Sequence, residues 1–566
     1  MVIFGNMKYR NFKIVTTFIL AAVYGLLFGW NSLYLQSIKS GEISEWYGFK
    51  KKLEIHNTVS KRGIDVLHYD ISLDIDHTNK NIESTVAITL VKSSQSTDLS
   101  LDLSEDMKIK EVAVDGKKAE YSRDGDKVRI NSTKFDKDTL IIKVSYEGNP
   151  SRRKNFFFGR INSLPVIYTL NEPENARDWL ICNDIPGDKA TLNFAITNDS
   201  GFTSISSGNL DSVVSKPGSA KKTFHWSTDY PIATYLISFF SSKYVSEHGT
   251  FKGVSGKTLD LSIYGFPWQK GKLRRILDDH KDFIKVMEKY FGEYPFQNEK
   301  YSVVAFLWQM GAMEYQTASG FGSGFIDNYP SNMNIFVHEL GHQWFGNSVS
   351  PLTWKDIWLN EGFATFAEWL YLEESGKKEG QDYLGRALKE EKMPHFFPGP
   401  IYAPEEIFSS GVYIKGAWVL RMLRHEMGDE LFFKFLKEYY NRNKFSNADT
   451  KGLVELVNEI SGRNFDEFFD QWIFSGQGIV SLETGKMEVK EKTGKYKVSL
   501  KLKQVQEEKR TYNLLMDVRF TGDKKSVTKS FRLNNRETVV SIDLDFKPSK
   551  FELDPENYSL FRMADD

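Results

Sequence analysis

Cysteine is almost absent from this sequence. Its 566 residues include one, Cys182, so no disulfide can close within the chain and no thiolate-rich zinc or iron–sulfur site can be built. An excess of either charge is missing as well. The 74 Lys and Arg stand against 75 Asp and Glu, a formal net charge of -1, which gives no global electrostatic reason to bind nucleic acid or an anionic membrane surface. Proline is sparse at 16 residues, while 40% of the chain is hydrophobic and 26% charged. That balance excludes collagen-like, low-complexity and wholly disordered classes. Any metal held here must be held by histidines and carboxylates.

What is present begins with an uncharged run. Residues 14–30 (IVTTFILAAVYGLLFGW) carry no charge, and the apolar character reaches Leu35 behind Lys8, Arg10 and Lys13. A hydrocarbon core needs about 20 apolar residues, so the run is long enough to span one. No A-x-A cleavage site follows it. The expectation is a signal or membrane anchor over 1–36, uncleaved, with its basic end inside and the remainder outside the cytoplasm, periplasmic or extracellular. A polar linker is expected over 37–60.

From 61 to 250 the pattern has period two. Tyr69, Ile71, Leu73 and Ile75 alternate with polar neighbours, the mark of half-buried strands. Near 270 the period changes: Leu273, Ile276, Leu277, His280, Phe283, Ile284 and Met287 recur at helical spacing before Gly292, where a cap is expected. Helical patterns dominate to about 475, and alternation returns over 476–566. The expected division is a β domain over 61–250, a catalytic domain over 251–475 and a small β-sandwich of about seven strands over 476–566. The class is multi-domain α+β, with no large helical domain after the sandwich.

The segment NIFVHELGHQWFGN holds His338, Glu339 and His342 in the order H-E-x-x-H. Four residues apart on a helix, both imidazoles reach one ion, and Glu339 points at the water that the ion holds. Two ordinary helix histidines would also satisfy this spacing. The continuation rejects that: eighteen residues separate His342 from Glu361, which opens a second helical pattern and supplies the third ligand of a catalytic zinc, leaving the fourth position for water. Glu368 lies seven residues beyond Glu361 on the same face, placed either to hydrogen-bond a ligand imidazole or to sit solvated. Zinc polarises a carbonyl and activates water. With Glu339 as base this is the chemistry of amide hydrolysis.

HELGH, the eighteen-residue gap and NEGFA, together with GAMEY at 311–315 and VYIKGA at 412–417, resemble the aminopeptidase N family of gluzincin metallopeptidases. The resemblance extends over roughly 61–475, including TLNEPENARDWLICNDIPGDKAT at 169–191 and WSTDYPIATYLISFF at 226–240. It implies an N-terminal β-sheet saddle domain and a thermolysin-like catalytic domain. It implies one zinc per chain on His338, His342 and Glu361, Glu339 as base and proton shuttle, and Tyr413 as the donor to the oxyanion. Glu314 would bind the substrate's free α-ammonium group, which makes the activity exopeptidic. Glu172 would be a second anchor, with Glu174 as the alternative. Gly311, Ala312 and Met313 would lie along a substrate added like a strand.

The motif also departs from its relatives. The family's GAMEN ends in Asn where Tyr315 stands here, which affects the pocket for the first side chain. Without a helical roof, the site is either open or closed by another subunit. The reading that follows is a zinc aminopeptidase acting on peptides with a free N-terminus. Its alternatives are a zinc enzyme of the same family that opens a lipid epoxide, and a peptide-binding ectodomain without catalysis. The complete ligand set argues against the last.

Overall fold

The computed structural model describes residues 63–564 apart from 93–97, 133, 134, 136, 216, 309, 310, 377–398 and 477. The expected anchor over 1–36 and linker over 37–60 therefore lie outside the described residues. Among the described residues, no helix is long and apolar enough to cross a membrane.

The alternation of the first third becomes sheet. In the strand Ile64–Asp76 the side chains of Tyr69, Ile71, Leu73 and Ile75 are buried while their neighbours face outward, the period-two burial of a sheet with one face in the core. This strand pairs antiparallel with Asn81–Lys92 and parallel with Lys189–Asp199, at the centre of a nine-stranded sheet. A four-stranded sheet that includes Phe156–Ile161 and Leu164–Thr169 leads into the loop carrying Glu172.

A five-stranded sheet follows in the order Val245–Lys252, Thr258–Gly265, Lys300–Phe306, Ala318–Gly322, Ala312–Met313. The expected boundary at 250/251 falls inside the first of these strands. Every residue of the central strand Lys300–Phe306 is buried, because helices and sheet cover both of its faces. The helix Lys270–Phe291 buries the predicted face, from Leu273 to Met287, and ends at Gly292 with φ 104°. The apolar stripe buries one side of this helix against the strands Val245–Lys252 and Thr258–Gly265.

Three helices then enclose the site: Met333–Gly341, Trp358–Glu374 and Gly416–Met427. The last two touch almost backbone to backbone. A β-carbon added to Gly362 would stand 2.9 Å from the Gly416 α-carbon, so any larger residue would push the helices apart. Among the described residues after 476, eight strands form a five-stranded and a three-stranded sheet. Arg421 joins this unit to the helices, donating to the Asn557 carbonyl at 2.6 Å.

Candidate active site

The helix Met333–Gly341 presents His338, and His342 follows as its cap, its N–H still donating to the His338 carbonyl at 3.1 Å. One turn's spacing thus keeps both rings on one face, with centroids 4.6 Å apart. Glu361 enters from the first turn of the helix Trp358–Glu374. Its Oε2 lies 3.3 Å from His338 Nε2 and 3.4 Å from His342 Nε2.

Both histidines have their other ring nitrogen engaged. His338 Nδ1 meets Glu368 Oε1 at 2.8 Å, and Glu368 Oε2 accepts from Asn334 at 3.0 Å. His342 Nδ1 meets Asn360 Oδ1 at 2.9 Å and the Phe345 carbonyl at 3.1 Å. With a proton on each Nδ1 held by these acceptors, each Nε2 keeps its lone pair for a metal. Of the two readings of Glu368, the structure favours the imidazole partner over the solvated carboxylate. One donor atom each from His338, His342 and Glu361 lies within 4.8 Å of the others. Three buried N and O donors of this kind fit a tetrahedral zinc with one open position.

The electrostatics of the pocket favour a cation. Burial penalises charge on both imidazoles, but neighbouring carboxylates outweigh it, raising His338 well above its usual value and His342 to about 9. Burial pushes the Glu339 carboxyl up to about 8, with Glu314 and Glu361 adding repulsion. Glu361 goes the other way despite its burial, down to about 2, because the two imidazoles face it. Burial raises Glu172 well above the usual carboxylate range, and Glu314, Glu361 and Glu339 raise it further. Glu339 Oε2 and Glu172 Oε1 are buried without a hydrogen-bond partner, a costly arrangement that a bound proton or cation relieves.

The structure separates Glu172 from Glu174. Glu172 shares a cluster with Glu314 and Glu361, one oxygen of each within 4.8 Å of the others. Glu174 instead pairs with Arg177 at 2.8 Å. Glu314 follows the strand Ala312–Met313, which stands at the edge of its sheet. Its carbonyl accepts from Gln343 at 3.0 Å and Asn347 at 2.6 Å. Gly311 has a reason of its own: a β-carbon there would lie 2.0 Å from the Trp308 ring.

Tyr413 sits in a single π-helical turn, Gly411–Lys415, an irregularity frequent at functional sites. Its ring lies 6.1 Å from that of His338 at an interplanar angle of 21°. The site contains one important residue that sequence spacing did not single out. Asn360 is fully buried, takes His342 on Oδ1 and gives Nδ2 to Glu314 Oε1 at 3.1 Å. Its signal was available: a poor helix former at the start of an otherwise apolar helix.

Comparison with known proteins identifies the family and the fold. The model of the Peptidase M1 N-terminal domain matches residues 66–236, and that of the Peptidase family M1 domain matches residues 275–472. A leucyl aminopeptidase of Saccharolobus solfataricus is 28% identical over 72% of this chain and 53% of its own. A glutamyl aminopeptidase of Bitis rhinoceros is 28% identical over 54% of this chain and 34% of its own. The chain spans about half the length of the first curated relatives it matches. In fold it is similar to a Deinococcus radiodurans M1 zinc metallopeptidase variant bound to a Tyr-Ser-Ala substrate, with a TM-score of 0.65 and 24% identity, covering 74% of this chain and 95% of that one. Legionella pneumophila aminopeptidase A in complex with aspartic acid gives a TM-score of 0.76 at 20% identity, covering 91% of this chain and 60% of that one. The two M1 models together account for well over half of the sequence, and the chain belongs to peptidase family M1.

Proposed function

We propose that this chain is a zinc-dependent aminopeptidase with one zinc per chain, hydrolysing the first peptide bond of peptides that have a free N-terminus. The observation that carries the reading is the short distance between two carboxylate sets. Glu172 and Glu314 stand within 4.8 Å of Glu361, so an ammonium held by the first two leaves room for one residue before the bond presented to the metal. Two carboxylates around one cation fix its position where one would not.

Bound to His338, His342 and Glu361, zinc supplies Lewis-acid polarisation of the scissile carbonyl and a more acidic water. Glu339 Oε2 takes the water's proton and passes it to the leaving amine. The Tyr413 phenol donates to the oxyanion that develops on the carbonyl oxygen. Glu368 and Asn360 hold the imidazoles in one tautomer. The outer edge of the strand Ala312–Met313 offers backbone groups to an extended peptide.

A panel of aminoacyl chromogenic amides beside their N-acetylated copies, with and without a chelator, tests the reading. Cleavage of the free amines alone, abolished by the chelator, is expected. Equal cleavage of both sets removes Glu172 and Glu314 as anchors. We also place the catalytic unit outside the cytoplasm, on the strength of the uncharged run behind Lys8, Arg10 and Lys13. Sequencing the N-terminus of the membrane-fraction and soluble protein tests that placement: an intact start in the membrane fraction supports an anchor, and an intact start in the cytoplasm overturns it.

A further inference from the structure

The two carboxylates assigned to the ammonium come from different units. Glu172 follows the strand Leu164–Thr169 of the N-terminal β unit, and Glu314 follows the strand Ala312–Met313 of the catalytic unit. Their separation is therefore set across a boundary between units, where relative motion is the default unless specific contacts prevent it. A misplacement of about 1 Å is enough to weaken a two-point grip on a small cation.

Tyr315 spans that boundary. It is fully buried, and its hydroxyl donates to the Thr169 carbonyl at 2.5 Å while accepting the Asn171 N–H at 3.3 Å. These two groups flank Leu170, two residues before Glu172. The ring meets Phe240 edge-on, with centroids 5.5 Å apart at 77°. On the catalytic side, Gln343 Nε2 donates to the carbonyls of Glu314 and Tyr315 at 3.0 and 3.3 Å. On the other side, Asn171 donates to the Ile237 carbonyl at 2.7 Å and accepts from Trp179 Nε1 at 3.0 Å. A continuous set of bonds thus runs from the segment after His342, through Glu314 and Tyr315, to the backbone that carries Glu172. Gln316 N–H also crosses the boundary, to the Leu236 carbonyl at 3.2 Å, but it lands on another segment.

We infer that Tyr315 is a positioning residue whose hydroxyl holds Glu172 in register with Glu314, and so sets the preference for ligands bearing a free α-ammonium group. The inference rests on the aminopeptidase reading and gives a physical role to the tyrosine that ends GAMEY. An ammonium is gripped alike in the bound substrate and at the transition state, so loosening the grip raises KM more than it lowers kcat.

The test uses the full zinc-loaded chain as wild type, Tyr315→Phe and Phe240→Leu. Calorimetry gives Kd for leucine hydroxamate and for 4-methylpentanohydroxamic acid, the same ligand without its amino group; kinetics use leucine para-nitroanilide. The ratio of the two Kd values does not depend on the folded fraction of a preparation. In Tyr315→Phe the preference for the amino ligand should fall about tenfold, with KM rising and kcat nearly unchanged. Phe240→Leu should lower Tm and leave the preference intact. An unchanged preference in Tyr315→Phe overturns the inference, and so does an equal fall in both variants, which would make the ring's packing the cause. A wild-type chain that binds both hydroxamates equally overturns the aminopeptidase reading itself, and the positioning role with it.

Discussion

Replacing Asn360 by leucine keeps the volume of the side chain and removes both hydrogen bonds of its amide, one to a metal ligand and one to a substrate anchor. Loss of an outer partner of a ligand imidazole costs about 10–100-fold in metal affinity. Here the Phe345 carbonyl still accepts from His342 Nδ1 at 3.1 Å, so the lower end, about tenfold or ~1.4 kcal/mol, is expected. The second loss falls on Glu314. Gln343 and Asn347 hold its carbonyl and not its carboxylate, so without the 3.1 Å bond from Asn360 the carboxylate turns more freely. A bond to a charged group contributes about 1.5–3 kcal/mol at most, which sets a ceiling on the rise in KM for free-amine substrates. Glu368→Leu is the control. Glu368 touches His338 and Asn334, so its loss should weaken zinc binding and leave substrate preference alone. The assays are zinc competition against a chromogenic chelator and the KM ratio of free to N-blocked substrates. Wild-type zinc affinity in Asn360→Leu refutes the reasoning, as does an equal shift in substrate preference in both variants. Gly346→Ala attacks the same amide from the other side, since its β-carbon would lie 2.0 Å from Asn360 Oδ1 at a backbone φ of 128°, and zinc affinity should fall again.

Glu339→Gln should retain zinc by elemental analysis while turnover falls about 10³-fold or more, and wild-type turnover removes it as the base. Tyr413→Phe should lower kcat about 10²–10³-fold with little change in zinc content; a change confined to KM rejects the oxyanion role. Burial holds the His280 imidazole down at about 4, against 6.5 for the exposed side chain. The unfolded chain therefore binds more protons between those values, so stability is complete above pH 6.5 and falls as the pH drops towards 4, by roughly 3 kcal/mol. His280→Phe, set among Phe283, Tyr301 and Phe336, should flatten Tm against pH over that window, and an unchanged slope assigns the acid loss elsewhere.

The triad proposed to hold the metal was legible as a candidate because each member depends on local spacing. His338 and His342 are bound to share a face once the segment is helical, and Glu361 opens the next helix. The period-two and helical patterns gave the order of units for the same reason. What sequence could not reach are relations between distant segments. The strand Lys300–Phe306 is not legible in the sequence because, buried throughout, it has no alternation to mark it within a helical stretch. The resemblance puts Glu172 ahead of Glu174 by motif alignment alone, and the physical difference between them, the ion pair of Glu174 with Arg177, lies in a contact that the alignment does not show. Asn360 precedes a ligand in sequence, but its second bond, to Glu314, joins residues 46 positions apart.

These long-range bonds make the N-terminal β unit part of the site. The half-buried Lys189, whose amine is desolvated and so held down to a pKa of about 7, donates to the carbonyls of Asn347 and Ser348 at 2.8 and 2.9 Å. Tyr235 donates to the Gly346 carbonyl at 2.9 Å. Gly346 is the residue whose lack of a side chain leaves room for the Asn360 amide, and that amide meets both His342 and Glu314. A desolvated ammonium is expensive to keep unless its hydrogen bonds are made, so separating the two units would cost stability and also release the loop that supports the second histidine. The same loop supplies Asn347, which holds Glu314 in place. On the proposed function, metal binding and ammonium recognition would therefore be coupled through one short segment, 343–348, which the N-terminal unit holds from outside.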